Sequence, residues 1–441
     1  DMTLAQLALS TNNYGRVVGL LDRYRPSDGR PDLRRWEWRY FWNQVRSEAE
    51  FALPRQPDAI AGLALSSDSR VLASVDFNKT LKLWDVNARK ALLEHQESGL
   101  DPRAIAFSHD GTRLATVVRQ RASSAVKVWN VGERRVTCEF DCPTSIRELG
   151  FTIDDEGLLL LGHDLTVARW NFAAQKFETV LPAAQSAPGW AAGPATFSAN
   201  RQRVAFLDGT RIRVHDLTTG EQVADLEGFR EGTWSLALSP AGKLLAAGPT
   251  SAATSTDIKL FSVDAGNELD PLTGHVSWVP AIAFTADGKR LVSAGGDQTV
   301  RIWNVDEGRE TAVLHGHLTE RYRVVVSTDG KRIFSGCKDG TILGWDANRI
   351  RRRSSFETLP IPVTELVFLP GDREMLTVDA EGRVELRDSQ SLQTTESLDM
   401  LGSKVKQLLV SSDGTRVFAE TTLGEVKVVD WPTRQVIRTL K

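Results

Sequence analysis

The stretch VPAIAFTADGKRLVSAGGDQTVRIWNV, residues 279–305, decides how this chain folds. Its AIAF and RLVSA runs alternate around Asp287-Gly288, which reads as two strands joined by a two-residue hairpin turn. Gly295-Gly296 marks the next turn, TVRIWNV a third strand and ETAVL (310–314) a fourth. Working outward, the dipeptide that ends the third strand is met as Trp84-Asp85, Trp129-Asn130, Trp170-Asn171, His215-Asp216 and Phe261-Ser262. It continues as Trp303-Asn304, Trp345-Asp346, Arg387-Asp388 and Val429-Asp430. The intervals are 45, 41, 45 and 46 residues and then 42 four times, so the chain holds nine copies of one unit. The Asp-Gly turn returns at Asp110-Gly111, Asp329-Gly330 and Asp413-Gly414, and is weakened to Asp68-Ser69 or Ala241-Gly242 elsewhere.

A lone four-stranded sheet cannot bury both faces, so such units are stable only when stacked on neighbours. Composition agrees with a globular protein: 41% hydrophobic and 25% charged residues exclude wholesale disorder. A formal net charge of −3 excludes general attraction for nucleic acid or an anionic membrane. No run of 18 apolar residues offers a membrane span. Cys138, Cys142 and Cys337 form no CxxC pair, so free buried thiols are expected. No metal-ligand spacing occurs, and no metal or cofactor is expected. The chain begins at Asp1 and not Met, which reads as a piece of a longer product.

With Gly274-His275 before the first strand and the Trp dipeptide after the third, residues 51–441 resemble the WD-repeat family. The resemblance implies an all-β fold, a WD-repeat β-propeller of nine four-stranded repeats. It also implies a structural tetrad in each intact blade: His275, Ser293, Asp297 and Trp303 in one, His317, Ser335, Asp339 and Trp345 in the next. Other blades are degraded. That of Trp84 keeps Ser74 without a histidine, and Gly228-Phe229 replaces Gly-His, so these are expected to hold by packing alone. Nine copies fit one large ring of eight or nine blades, or seven blades plus two of a second ring continuing beyond Lys441. Phe51 to Leu53 is placed to close a ring. The ninth copy has its own fourth strand in RQVIRTL (434–440), and the seventh has a candidate in SSFETLP (354–360). Seven plus two is the arrangement expected.

Residues 1–48 have helical period instead: Val17, Leu20, Leu21 and Tyr24 fall on one face, and Trp38, Phe41, Trp42 and Val45 on another. They read as a short α-helical segment, tetratricopeptide-like or a linker, with Thr3 and Asp32 as caps and a turn at 26–31. The tryptophans Trp36, Trp38 and Trp42 read as packing. Residues 20–44, LLDRYRPSDGRPDLRRWEWRYFWNQ, also resemble a segment that precedes the C-terminal WD-repeats of large bacterial serine/threonine kinases. That resemblance implies a kinase domain, often with a membrane helix, upstream. No kinase motif lies within these residues.

His275, Ser293 and Asp297 imitate a hydrolytic triad, but their repetition as His317, Ser335 and Asp339 assigns them to blade structure, since a hydrolase needs one activated nucleophile. The basic run Arg349, Arg351, Arg352 and Arg353 reads as a solvated loop on the opposite face, or as a site for an acidic or phosphorylated partner. The insertion at 248–257 reads as a long turn on the tetrad face. No convergent titratable groups can be named for the channel. The function expected is a non-catalytic scaffold for unidentified protein partners, without nucleic acid or membrane insertion. The resemblance points to Trp278, Glu320, Arg321 and Lys338 as contacts. The alternative is the regulatory or sensing region of a serine/threonine kinase. A free scaffold would be cytoplasmic, and a part distal to a kinase's membrane helix extracytoplasmic.

Overall fold

The computed structural model describes residues 2–10, 14–24, 38, 41–42, 45–121, 123–182, 193–227, 229, 233–250, 255–317, 319, 321–348, 363–370, 374–388, 393–398, 403–411 and 413–440. They fall into two compact units, Asp1–Arg352 and Arg353–Lys441.

The first unit holds seven four-stranded antiparallel sheets, the blades. Blades one to six span 60–96, 100–142, 146–181, 195–226, 233–272 and 281–314. Blade seven takes three strands from 321–346 and its fourth from Phe51–Ala52. The innermost strands stand side by side in order around the ring, and that of blade seven, Arg321–Val326, returns to that of blade one, Ile60–Leu65. The ring is therefore closed, a β-propeller of seven blades.

Closure rests on a few residues. Phe51 pairs with Gly344 and Ala52 with Leu343, antiparallel. Leu53 N then donates to the Ile342 carbonyl (2.9 Å) and Gln56 N to the Gly340 carbonyl (2.9 Å). Behind this zipper Leu53, Ile60, Leu72 and Trp84 share one core with Phe334 and Ile342 of blade seven. Of the two candidates for blade seven's fourth strand, the N-terminal one is formed; SSFETLP lies outside the described residues.

The period-two alternation serves two interfaces at once. In blade six, Val292, Ala294, Val300 and Ile302 face blade seven and join Ile333 and Trp345. Leu291 and Trp303 face the other way and join Ala246, Ile258 and Leu260 of blade five. The Asp-Gly turn is longer than a two-residue hairpin. The last strand pair is Phe284 and Leu291, and Thr285 N donates to the Arg290 carbonyl (2.9 Å). Asp287 holds the loop by accepting from Lys289 N at 3.0 Å, while Gly288 sits at φ 70°. Ser69, Asp155 and Arg201 adopt the same left-handed conformation at that position (φ 58°, 57° and 54°), which explains why the dipeptide decays without losing the turn.

The second unit holds two four-stranded sheets, blades eight (363–397) and nine (405–440). They share a core in which Leu376, Val378, Val384 and Leu386 meet Leu408, Val417, Ala419 and Val429.

Among the described residues two continuous helices, α1 (Met2–Ser10) and α2 (Tyr14–Asp22), precede the ring, and Trp38, Phe41, Trp42 and Val45 are helical as well. Ala5 and Ala8 pack on Val17, Leu20, Leu21, Trp38, Phe41 and Val45. Trp38 Nε1 donates to the Leu21 carbonyl (2.7 Å), and its ring stacks on Trp42. Thr3 lies inside α1 and not ahead of it; Asp32, Trp36 and the turn at 26–31 lie outside the described residues. The segment is tied to the ring by Gly15 N to Gln298 Oε1 (3.2 Å) and Glu48 N to the His315 carbonyl (2.8 Å). Among the described residues no helix is long and apolar enough to cross a membrane.

Candidate recognition face

Turns between second and third strands, and links from one blade to the next, emerge on one side of the ring. The histidines descend from this side into the blades. In blade six His275 Nε2 lies 2.7 Å from Ser293 Oγ and Nδ1 lies 2.8 Å from Asp297 Oδ2. Trp303 Nε1 donates to the same Ser293 Oγ at 2.8 Å. Burial alone would raise the Asp297 carboxyl, but the His275 hydrogen bond, Arg301 and Thr299 hold it well below the usual range. Blade seven repeats the hub: His317 Nε2 lies 2.6 Å from Ser335 Oγ, which accepts from Trp345 Nε1 at 2.8 Å. Its Asp339 carboxylate accepts from Thr341 N at 3.0 Å. Ser293 and Ser335 are both fully buried, so no substrate reaches either hydroxyl. On the Ser335 strand, burial pushes the Cys337 thiol up to about 11, which disfavours its thiolate.

Blades one and two, though degraded, do not hold by packing alone. In blade one Gln56 occupies the histidine position, 18 residues before Ser74, just as His275 precedes Ser293. Ser74 Oγ donates to Gln56 Oε1 and accepts from Trp84 Nε1 (2.8 Å). Counting back from Ser74 would have found it. In blade two Trp129 Nε1 donates to Thr116 Oγ1 (3.0 Å). Blade five has Ala247 and Phe261 at the serine and tryptophan positions, so donor and acceptor are lost together. In blade three Leu160 stands at the serine position, and Trp170 Nε1 is buried without an acceptor while its ring stacks on Phe140 at 4.0 Å.

At the surface of this face Trp278 is half-buried, and its ring centroid lies 5.5 Å from that of Trp234. Trp234 is 46% exposed, and its Nε1 reaches the Thr250 carbonyl (3.2 Å). Val276 and Phe77 are also exposed on this side, as is Lys338. Arg321 begins the innermost strand of blade seven. Its side chain, Glu320, Arg349, Arg351, Arg352 and Arg353 all lie outside the described residues. Of the insertion at 248–257, residues 251–254 lie outside them too. Trp234 was missed in the sequence because, within Thr233–Leu238, it reads as a core residue.

The axis of the ring carries charges that spacing did not reveal. Glu148 lies on the innermost strand of blade three, and burial pushes its carboxyl up to about 7. Arg201 of blade four, Arg323 of blade seven and Asp101 of blade two all act on it electrostatically. Arg323 is itself lowered to about 10 by burial, with Arg103 adding repulsion. The signal available was a charged residue in a strand where other blades carry small or apolar ones. Among the described residues no group of His, Cys, Asp and Glu could hold a metal.

Comparison with known proteins agrees with this architecture. Residues 51–85, 266–304 and 308–346 match the family model described as WD domain, G-beta repeat. The chain is 27% identical over 183 residues to the meiotic recombination protein rec14 of Schizosaccharomyces pombe, a match that covers 40% of this chain. The chain spans 57% of the length of that relative. WD40 repeats are thus present in blades one, six and seven, where the tryptophan hub is most complete.

Proposed function

We propose that the chain is a non-catalytic recognition module that binds a protein partner on the tetrad face, over blades five to seven. The observation that carries this reading is the part-exposed Trp234–Trp278 pair at the rim of a rigid ring, Trp234 at the start of blade five's innermost strand and Trp278 on the link into blade six. Large aromatic rings on a preformed surface supply contact area at little conformational cost, and they dominate binding energy at interfaces. Val276 extends the apolar patch and Lys338 gives it a charged rim. WD40 repeats generally mediate protein interactions, which supports the reading. The buried Ser293 and Ser335 leave these hubs a structural role.

The test compares a partner's affinity for the native chain and for the Trp234→Ala/Trp278→Ala variant. A loss of at least ~2 kcal/mol with unchanged melting supports the face. Unchanged binding, or binding that depends on Arg351 to Arg353 instead, rejects it. The alternative of a kinase regulatory region rests on the resemblance of residues 20–44, most of which lie outside the described residues.

A further inference from the structure

The innermost strand of blade one opens Ile60-Ala61-Gly62, so its inner edge there carries nothing larger than a methyl group. Gly62 lies so close to the Pro102 carbonyl of blade two that even a Cβ would collide with it. Arginines of both neighbouring blades converge on this gap. From blade seven, Arg323 Nε donates to the Ala61 carbonyl (2.7 Å). From blade two comes Arg103, the residue after the Pro102 that abuts Gly62. Its charge acts repulsively on Arg323. The acids nearby do not balance the two. Asp101 is buried and accepts from Arg119 Nε at 2.5 Å and from Arg103 N at 3.1 Å. Glu148 of blade three answers first to Arg201. The guanidinium groups of Arg103, Arg119, Arg201 and Arg323 thus share two carboxylates. The Arg103 side chain is exposed, and it forms no ion pair among the described residues. Space is left beside it: Gly62 is matched in register by Ala104, Ala195, Ser235 and Ala281 in blades two, four, five and six.

We propose that this gap binds a phosphate dianion at the inner edge of the ring, held by Arg103 on the open side and Arg323 on the buried side. Two positive charges beyond what the carboxylates balance call for a dianion and not a halide. Planar guanidinium forks meet phosphate oxygens in pairs, with charge-assisted hydrogen bonds that a spherical ion cannot use as well. A concave edge lined by one sign of charge also concentrates anions from solution. The gap opens towards the tetrad side, because Arg103 lies in the first half of Leu100–Phe107, which descends from that side. It belongs to blades one, two and seven, apart from the tryptophan pair of blades five and six, so it does not rest on the recognition reading.

The experiment follows thermal melting of the full chain during titration with inorganic phosphate, at mildly alkaline pH where the ion is a dianion, against sodium chloride at matched ionic strength. The native melting temperature should rise saturably with phosphate and not with chloride. Arg103→Gln should melt as the native chain in chloride and need at least ~10-fold more phosphate for the same rise. Arg103→Lys keeps the charge and should retain most of the response, which separates loss of the cation from damage to the fold. Arg135→Gln, at a 71% exposed side chain on the outer strand of the same blade, should respond as the native chain does. Glycerol 2-phosphate distinguishes the sources: equal binding identifies a phosphate carried on a larger molecule, and weaker binding a free ion enclosed by the site. A native chain that responds no more to phosphate than to chloride overturns the proposal, as does an Arg103→Gln variant that keeps the native response.

Discussion

Ser335 is the hub most exposed to a direct energetic test, because one hydroxyl serves two buried partners. It lies 2.6 Å from His317 Nε2 and accepts from Trp345 Nε1 at 2.8 Å, and all three side chains are at most 3% exposed. Ser335→Ala leaves the indole N–H and the imidazole nitrogen without that partner. An unsatisfied buried polar group costs about 1–3 kcal/mol, so this loss should be about 2–4 kcal/mol after local relaxation. Trp345→Phe removes the indole N–H and some ring volume while His317 keeps Ser335, and should cost about 1–3 kcal/mol. The double variant should cost less than the two single losses added together, by about 1–2 kcal/mol, because Ser335→Ala then orphans one group fewer. Blade five already has this combination, Ala247 at the serine position and Phe261 at the tryptophan position. Urea denaturation followed by far-ultraviolet dichroism at fixed protein concentration gives the four stabilities. Losses that add to within about 0.5 kcal/mol would refute the hub as an energetic unit.

In blade three, Trp170→Phe should cost at least ~1 kcal/mol less than Trp345→Phe, since Trp170 Nε1 has no acceptor to lose; equal losses in denaturation would contradict this. Gln56→Ala should lower the melting temperature and Gln56→His should recover most of the loss, as the imidazole can also reach Ser74; a silent Gln56→Ala would remove glutamine from the hub. Glu148 has a folded-state value raised by burial from its usual 4.5 to about 7, so its contribution to stability is complete below about 4.5 and lost as pH rises through 7. Glu148→Gln should therefore melt higher than the native chain at pH 8, with the gain shrinking towards pH 5; a pH-independent difference would show that the carboxyl is not desolvated.

Spacing alone revealed the repeat because every blade must place one large side chain at the same depth against its neighbour. That constraint survives when the residue changes from Trp303 to Phe261 or His215, so the copy number was readable even where motifs had decayed. Closure was only half readable. Phe51 to Leu53 has the character of a fourth strand, but which blade receives it depends on distances around a ring that linear periodicity does not encode. The hub of blade one was hidden for a related reason. A search for histidine passes over Gln56, although an amide reaches the same serine with the same geometry. The turn length was misread because Asp287-Gly288 satisfies two loops equally well, and the flanking Thr285 decides between them through its hydrogen bonds to residue 290. At the recognition face the sequence pointed to Trp278 through family position but not to its neighbour Trp234, since an innermost-strand residue at the rim is indistinguishable from core by alternation. The charges of the innermost strands could be noticed one at a time, as Glu148 stands where other blades carry small residues, but not their interaction, since Glu148, Arg201 and Arg323 come from blades three, four and seven, far apart in sequence.

Closure of the first unit is tested most directly by a disulfide trap across the seam. Ala52 and Leu343 are register partners on the two strands that join the chain's start to blade seven. Antiparallel partners of this kind bring Cα atoms to roughly 4.5–5.5 Å, within the range a disulfide spans. In the Ala52→Cys/Leu343→Cys variant, mild oxidation should form this bond in the folded protein, found as one linked peptide pair by mass spectrometry and abolished by prior unfolding in urea. A seven-bladed ring predicts near-complete linkage, with the melting temperature of the oxidised form above that of the reduced form. Two free thiols in the folded, oxidised protein would mean that the ring does not close at blade seven.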